Sequence, residues 1–276
     1  WSSDVCSSDL KKITMLKDLK IFKILNLIFW LWIGIFSYRL PNESSRVIFF
    51  DVGQGDAILI QKGNFEMLVD GGADDTIIYK LGEYMKWNDR LIDIVVITHM
   101  HDDHYMGIKY LLERYEVGLF LLSPNCDELC QEFKSYNYIE VNQGMNLEYF
   151  DIDIDILWPR VGELDDNLNN DSIVLLLKYL DKKILLMGDA EKEVEEIMLE
   201  DYGGYITGVD ILKAGHHCSK TASTYQFLEL TNPKLSICSC GEDNKFGHPH
   251  QETIENFNTL NIPYYITWEE GDYVVE

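Results

Sequence analysis

The sequence predicts an α/β layered domain behind one N-terminal membrane helix, and three observations carry that expectation. From residue 46 onward, short apolar runs rich in β-branched residues alternate with amphipathic stretches. Histidines and aspartates stand directly after several of these runs, where the loops at the carboxyl ends of strands converge. Ahead of them lies a single lysine-flanked apolar segment. The chain has 276 residues, 46% hydrophobic and 25% charged, which suits one sizeable core plus an extension and excludes disorder.

Taken from the N-terminus, Trp1 to Leu10 (WSSDVCSSDL) join no periodic element and resemble a translated adapter fragment. Residues 1–14 are therefore expected to be a non-native extension, with native translation starting at Met15. Residues 15–45 read as a membrane anchor or signal segment and its linker. Ile24 to Tyr38 (ILNLIFWLWIGIFSY) is almost wholly apolar and follows Lys17, Lys20 and Lys23. With Ile21, Phe22 and Leu40 it approaches the roughly 20 residues of a membrane span. No small-residue cleavage pattern follows, so an uncleaved single-pass anchor is expected, and a removed signal would instead leave a secreted domain. The lysine bias places the N-terminus in the cytoplasm and the domain on the extracytoplasmic side of the cell membrane.

Residues 46–276 are expected to form one catalytic domain. Strands are predicted in RVIFFDVG (Arg46 to Gly53), DAILIQ (Asp56 to Gln61), FEMLVDGG (Phe65 to Gly72) and IDIVVITH (Ile92 to His99). Four more follow in SIVLLLKYL (Ser172 to Leu180), KKILLMGDA (Lys182 to Ala190), VDILKAGHH (Val209 to His217) and KLSICSCG (Lys234 to Gly241). Several are apolar throughout, as strands covered on both faces are. Helices are predicted over Tyr105 to Tyr115, Glu191 to Tyr202 and Gln251 to Leu260.

The formal net charge is −24, and residues 46–276 alone carry −26. Broad electrostatic capture of nucleic acid is thereby disfavoured, because it relies on Lys and Arg neutralising phosphates. Six cysteines are too few for a disulfide scaffold in a chain of this length. Cys126 and Cys130 are free to pair in an oxidising compartment, whereas Cys238 and Cys240 share one face of a strand and read as small core residues.

All seven histidines fall in three loops: His99, His101 and His104; His216 and His217; His248 and His250. Asp70 and Asp189 also follow apolar runs, so five strand ends point to one pocket. Thr98 to His104 (THMHDDH) packs three imidazoles and two carboxylates together. Alternate residues His99 and His101 can face one ion, while Asp103 and His104 can turn toward a second at the start of a helix. Zinc suits such donors best, and manganese or iron would also be accommodated.

This HxHxDH run resembles the signature of the metallo-β-lactamase superfamily, and the resemblance continues through Asp70, Asp189 and the Gly-His-His loop. It implies a four-layer αββα sandwich with two divalent ions at the sheet edges. It further implies that His99 and His101 bind the first ion, Asp103, His104 and His217 the second, that Asp189 bridges both, and that Asp70 orients a ligand from behind. The motifs FDVGQGDA (Phe50 to Ala57), MGDAE (Met187 to Glu191), LKAGHHCSKTAS (Leu212 to Ser223) and NKFGHPH (Asn244 to His250) resemble the hydrolase domain of ComEC-type DNA-uptake proteins. Those proteins carry a many-helix channel, which one apolar segment cannot form, so a freestanding relative is expected.

Two departures stand out. Cys218 replaces the glycine of the usual Gly-His-His-Gly-Ser, where its thiol is either a bystander or able to ligate or oxidise. Residues 105 to 215 lack a further histidine that the superfamily places there, and Asn169-Asn170-Asp171-Ser172 occupies that stretch. The first ion is then held weakly or completed by a neutral oxygen or water. The resemblance implies a phosphodiesterase or nuclease-like enzyme, with DNA among its candidate substrates. It also implies that Asp103 and Asp189 are the catalytic carboxylates. His216 or His248 binds a phosphate oxygen or protonates a leaving group, and Lys220 either adds a point charge or is merely solvated. Hydrolysis of another phosphoester or ester at the cell surface, and a non-catalytic part in a DNA-uptake apparatus, remain as alternatives.

Overall fold

The computed structural model describes residues 23–32, 44–126, 130–162 and 167–276. The chain divides into a unit ending at Asn42 and a larger one, Glu43–Glu276. In the first, residues 23–32 are helical and exposed. Among the described residues no helix is long and apolar enough to cross a membrane. The expected extension 1–14, the start at Met15 and the rest of the expected anchor lie outside the described residues.

The larger unit holds two seven-stranded sheets. The first comprises β1 (Ser45–Phe49), β2 (Ile58–Lys62), β3 (Phe65–Val69), β4 (Leu91–Ile97), β5 (Glu116–Leu122), β6 (Tyr138–Glu140) and β14 (Tyr273–Val275), in the order 14-1-2-3-4-5-6. The second comprises β7 (Asn146–Tyr149), β8 (Ile152–Trp158), β9 (Val174–Tyr179), β10 (Lys182–Leu186), β11 (Ile211–Lys213), β12 (Leu235–Cys238) and β13 (Tyr264–Ile266), in the order 13-12-11-10-9-8-7. Six helices connect them: α1 (Thr76–Tyr84), α2 (Asp102–Leu111), α3 (Lys192–Tyr202), α4 (Tyr225–Thr231), α5 (Gln251–Leu260) and α6 (Thr267–Glu270).

The apolar runs are continuous because alternate residues serve two different layers. Phe49, Ile58, Ile60, Met67 and Val69 of the first sheet meet Ile154, Leu175, Leu177, Ile184 and Leu186 of the second, forming the inner core. Their neighbours Ile48, Leu59, Leu68 and Val95 pack under Leu81 of α1 and Ile108 of α2. On the opposite outer face, Leu176, Leu185 and Leu212 meet Val194, Met198, Phe227 and Phe257 of the other helices. The result is the expected αββα order of layers.

Strands β3, β4 and β5 run parallel, as do β10, β11 and β12. Their carboxyl ends therefore open together. At that edge α2 lies close against the loop after β3: Gly107 N donates to the Gly72 carbonyl at 2.8 Å. A Cβ at Gly107 would run into the Gly71 carbonyl, so only glycine allows this approach.

Of the cysteines, Cys238 departs from expectation. Cys126 and Cys130 are disulfide-bonded, Cα atoms 5.7 Å apart. Cys238, expected to be a plain core residue, is bonded to Cys218, Cα atoms 5.4 Å apart. Past β11 the chain still follows its parallel neighbour β12, Ala214 N donating to the Ile237 carbonyl at 3.0 Å, and the turn at Gly215–Cys218 then sets Cys218 beside Cys238. Cys240 alone among the described cysteines stays a buried thiol.

Candidate metal centre

Four strand ends supply the site. After β3, Asp70 is held in the left-handed region (φ 58°) and fully buried. Its carboxylate accepts from Thr98 N (2.8 Å) and Thr98 Oγ1 (2.7 Å) and lies 2.8 Å from His104 Nδ1. After β4, His99 and His101 precede α2, and Asp103 and His104 fall in its first turn. After β10, Asp189 is fixed by its N–H donating to Ser172 Oγ at 3.0 Å. After β11, His216, His217 and Cys218 stand at φ 47°, 54° and 63°. Three consecutive side-chain-bearing residues in this region cost about 1–3 kcal/mol each. The last position explains the glycine of the related loops. Here the Cys218–Cys238 bond and the approach of His217 Nδ1 to the Ser239 carbonyl (2.8 Å) hold the turn.

Two groups of donor atoms share Asp189. In one, Asp189 Oδ1 lies 3.3 Å from His104 Nε2 and 3.3 Å from His217 Nε2. Those two nitrogens are 3.3 Å apart, and Asp103 Oδ2 is 3.4 Å from His217 Nε2. Donors about 2.0–2.1 Å from a tetrahedral ion are themselves about 3.3–3.4 Å apart, so these spacings fit one. Asp189 Oδ1 is moreover buried with no hydrogen-bond partner. In the other group, His99, His101 and Asp189 each offer an atom within 4.8 Å of the rest. His99 Nε2 is 3.0 Å from His101 Nδ1 and 3.8 Å from Asp189 Oδ2.

Charges in the cluster are mutually dependent. Burial would depress His104, but Asp189 and Asp70 outweigh it and hold its pKa up to about 10. His217 is likewise raised against its burial, by Asp189 and Asp56. Burial would raise Asp103 and Asp189, yet His217 and His104 hold both below the usual carboxylate range. Burial pushes His99 far down, helped by the charge on His104, and pushes His248 down to about 3, helped by His217 and His216. Protons on His104 and His217 thus occupy places that a cation would take, and cation binding would release them.

Three residues with no assigned role from the sequence join the site. Asp56 is buried within 4.8 Å of His104, Asp189 and His217, but on their far side, 3.4 Å from His217 Nδ1. It pairs with Lys213, whose ammonium is fully buried, donates to the Gly188 carbonyl at 3.0 Å and lies 3.9 Å from Asp189 Oδ1. Glu191 Oε1 lies 2.9 Å from His216 Nδ1. A lysine inside the apolar run VDILKAGHH was the visible signal for the buried pair. The asparagine stretch braces this region: Asn170 Oδ1 accepts from Glu191 N at 3.0 Å, and Asn169 Nδ2 donates to Glu191 Oε1 at 2.8 Å.

A cavity of about 690 Å³ opens over the cluster, bordered by Gln54, Met100, His216, Lys245, Phe246 and His248. His248 packs against His216, ring centroids 5.3 Å apart, and stacks with Phe246 at 5.6 Å. The lysine lining it is Lys245, while Lys220 is exposed. His250 stands outside, Nδ1 accepting from Lys220 N at 3.1 Å.

Residues 50–242 match the Metallo-beta-lactamase superfamily, across most of the two-sheet unit just described. The chain belongs to that superfamily. It is similar to ComE operon protein 3 of Bacillus subtilis (strain 168), 27% identical over 267 residues, which cover 86% of this chain and 34% of that protein. Recombination protein 2 of Haemophilus influenzae is 26% identical over 226 residues, covering 80% of this chain and 27% of that protein. The chain thus spans about a third or less of these relatives' length. Among solved structures, the metallo-beta-lactamase fold protein YhfI from Bacillus subtilis superposes with a TM-score of 0.59 at 13% identity, covering 84% of this chain and 99% of that one. Tm1679, described as a metal-dependent hydrolase, gives 0.59 at 15% identity with the same coverage. These two likenesses concern the fold. Competence protein ComA of Neisseria gonorrhoeae is 27% identical over 231 residues, covering 81% of this chain and 31% of that protein. Superfamily membership and the candidate metal centre together describe a metal-dependent hydrolase with a competence protein among its relatives.

Proposed function

We propose that the domain is a dinuclear hydrolase of phosphodiesters, nucleic acid included. The observation that carries this is one carboxylate, Asp189, with imidazoles facing both its oxygens at the floor of an open cavity. His99, His101 and Asp189 hold one divalent ion; Asp103, His104, His217 and Asp189 hold the other. Zinc fits these donors best, and manganese or iron would also be accepted. When bound, the ions supply Lewis acidity that polarises the phosphoryl group and acidifies a water.

The chain's own groups do the rest. Asp70 fixes the ring of His104 through Nδ1, leaving Nε2 toward the centre. Lys245 on the rim meets the anionic diester, and His248 binds an oxygen of it or hands a proton to the leaving group. Because the domain carries −26, recognition is confined to this pocket rather than spread over a basic surface. Relatives named for competence and recombination support a DNA-related substrate.

Replacing both Asp103 and His104 with Ala is expected to remove one ion and leave the other. Elemental analysis of the purified protein, coupled to hydrolysis of a bis-aryl phosphodiester, tests this. Unchanged metal content in that variant, or a fully loaded wild type inert toward every diester offered, would overturn the reading.

We further propose that the segment from Ile21 to Leu40 anchors the domain on the extracytoplasmic face. Protease added to intact cells is expected to digest it. Protection until lysis, while an exposed control protein is cut, would reverse the topology.

A further inference from the structure

His216 has surroundings that repeat those of three of the four histidines assigned to the ions, His101 being the exception with Nδ1 turned to His99 Nε2 at 3.0 Å. His104 Nδ1 lies 2.8 Å from Asp70, His217 Nδ1 2.8 Å from the Ser239 carbonyl, and His99 Nδ1 3.1 Å from Thr98 Oγ1. In these three, Nδ1 is anchored on an oxygen and Nε2 is left facing Asp189. Such anchoring sets the tautomer and the aim of a metal-binding imidazole. His216 shares both halves of the pattern. Its Nδ1 lies 2.9 Å from Glu191 Oε1 and 3.0 Å from Thr221 Oγ1, and its Nε2 is 4.0 Å from Asp189 Oδ2. His99 Nε2 stands 3.8 Å from that same oxygen. His248 shares neither half, since its Nδ1 is buried with no partner.

The first ion's donor set is also one group short. His99, His101 and Asp189 offer three donors within 4.8 Å of one another, with His216 beyond that limit from at least one of them, whereas the second ion has Asp103, His104, His217 and Asp189; residues 105 to 215 contain no histidine. Asn169 gives its Nδ2 to Glu191 Oε1 and keeps a buried, unpartnered Oδ1, but a neutral amide oxygen is a weaker donor than an imidazole to an ion such as zinc. Resting on the dinuclear reading above, we infer that His216 Nε2 is the third imidazole donor to the first ion, with Glu191 as the positioning residue behind it. Asp189 and Glu191 then lie two residues apart in one turn, so a single short segment carries the shared carboxylate and the anchor of the replacement ligand.

The test is a zinc titration of the chelator-stripped full chain, with stoichiometry from elemental analysis and affinity from competition with a chromophoric chelator. Wild type is expected to bind two ions and His216→Ala one. Glu191→Gln is expected to bind two, the first about 10–100-fold more weakly, as loss of an outer partner does. A merely structural role for Glu191 would weaken both ions together. His216→Gln provides a second variant, and melting of the chelator-stripped proteins verifies folding; should neither His216 variant fold, the affinity in Glu191→Gln decides. Two ions at unchanged affinity in His216→Ala, beside a wild type that binds two, would overturn the inference and leave the dinuclear reading standing. Fewer than two ions in wild type would overturn both.

Discussion

Asp189→Asn is expected to lose both ions and nearly all turnover, whereas His248→Ala keeps its ions and loses turnover alone. Asp189 Oδ1 faces His104 and His217, and Oδ2 faces His99 and His216, so one substitution removes charge from every donor group at once. Loss of an outer partner alone costs about 10–100-fold in metal affinity, and loss of the shared ligand should exceed that. His248 touches the cavity and the Phe246 ring but none of the carboxylates assigned to the ions. Its removal should slow diester turnover by roughly 10- to 10,000-fold if it stabilises or protonates the departing group. Metal content and activity must be read on the same preparations. A metal-free His248→Ala beside a loaded, active Asp189→Asn would show that the two roles have been exchanged.

The second large effect is expected on stability. Lys213→Met would strand the Asp56 carboxylate in the interior, near the like charge of Asp189 and with the Nδ1 sides of His217 and His104 at 3.4 and 4.0 Å as its remaining partners among the described residues. Removing one partner of a buried ion pair costs about 3–5 kcal/mol, chiefly because the other charge is left uncompensated. Urea denaturation in excess chelator isolates this from any contribution of bound ions. Adding Asp56→Asn should recover part of the loss, since the stranded charge is then gone. A Lys213→Met midpoint indistinguishable from wild type would mean that the ammonium contributes nothing to the fold.

Most strands beside the inner core were legible because burial on both faces leaves an unbroken apolar run, as in IDIVVITH and SIVLLLKYL, but β5 (EVGLFLL), which directly follows a helical stretch, was not read as a strand. The helices at Asp102–Leu111, Lys192–Tyr202 and Gln251–Leu260 were visible by their spacing. Strand β8 (IDIDILW) alternates with period two and was readable in principle, but β6 and β7 are exposed edge strands with little apolar content to mark them. At the site, histidines crowded after apolar runs gave the cluster away. Asp56 and Glu191 did not announce themselves, because each takes its meaning from a partner brought up by the fold, whereas Lys213 stood out as a lone charge in an apolar run whose partner was hidden. Glu191 in particular reads as an ordinary acidic residue at a helix start. The Cys218–Cys238 pair was hidden for the same reason, its twenty-residue separation being set by β11 lying beside β12.

The donor groups come from both halves of the sandwich: His99 to His104 from the edge of the first sheet, Asp189 and His217 from that of the second. Ions seated there would act as stitches across the seam, and the folding equilibrium would become linked to their free concentration. At a hundredfold excess over the dissociation constant, each stitch is worth about 2.7 kcal/mol, comparable to a large share of a typical domain's net stability. The same chain would then be sturdy in a metal-replete medium and readily degraded in a chelated one. Its abundance, and not only its turnover, would follow the supply of metal around it.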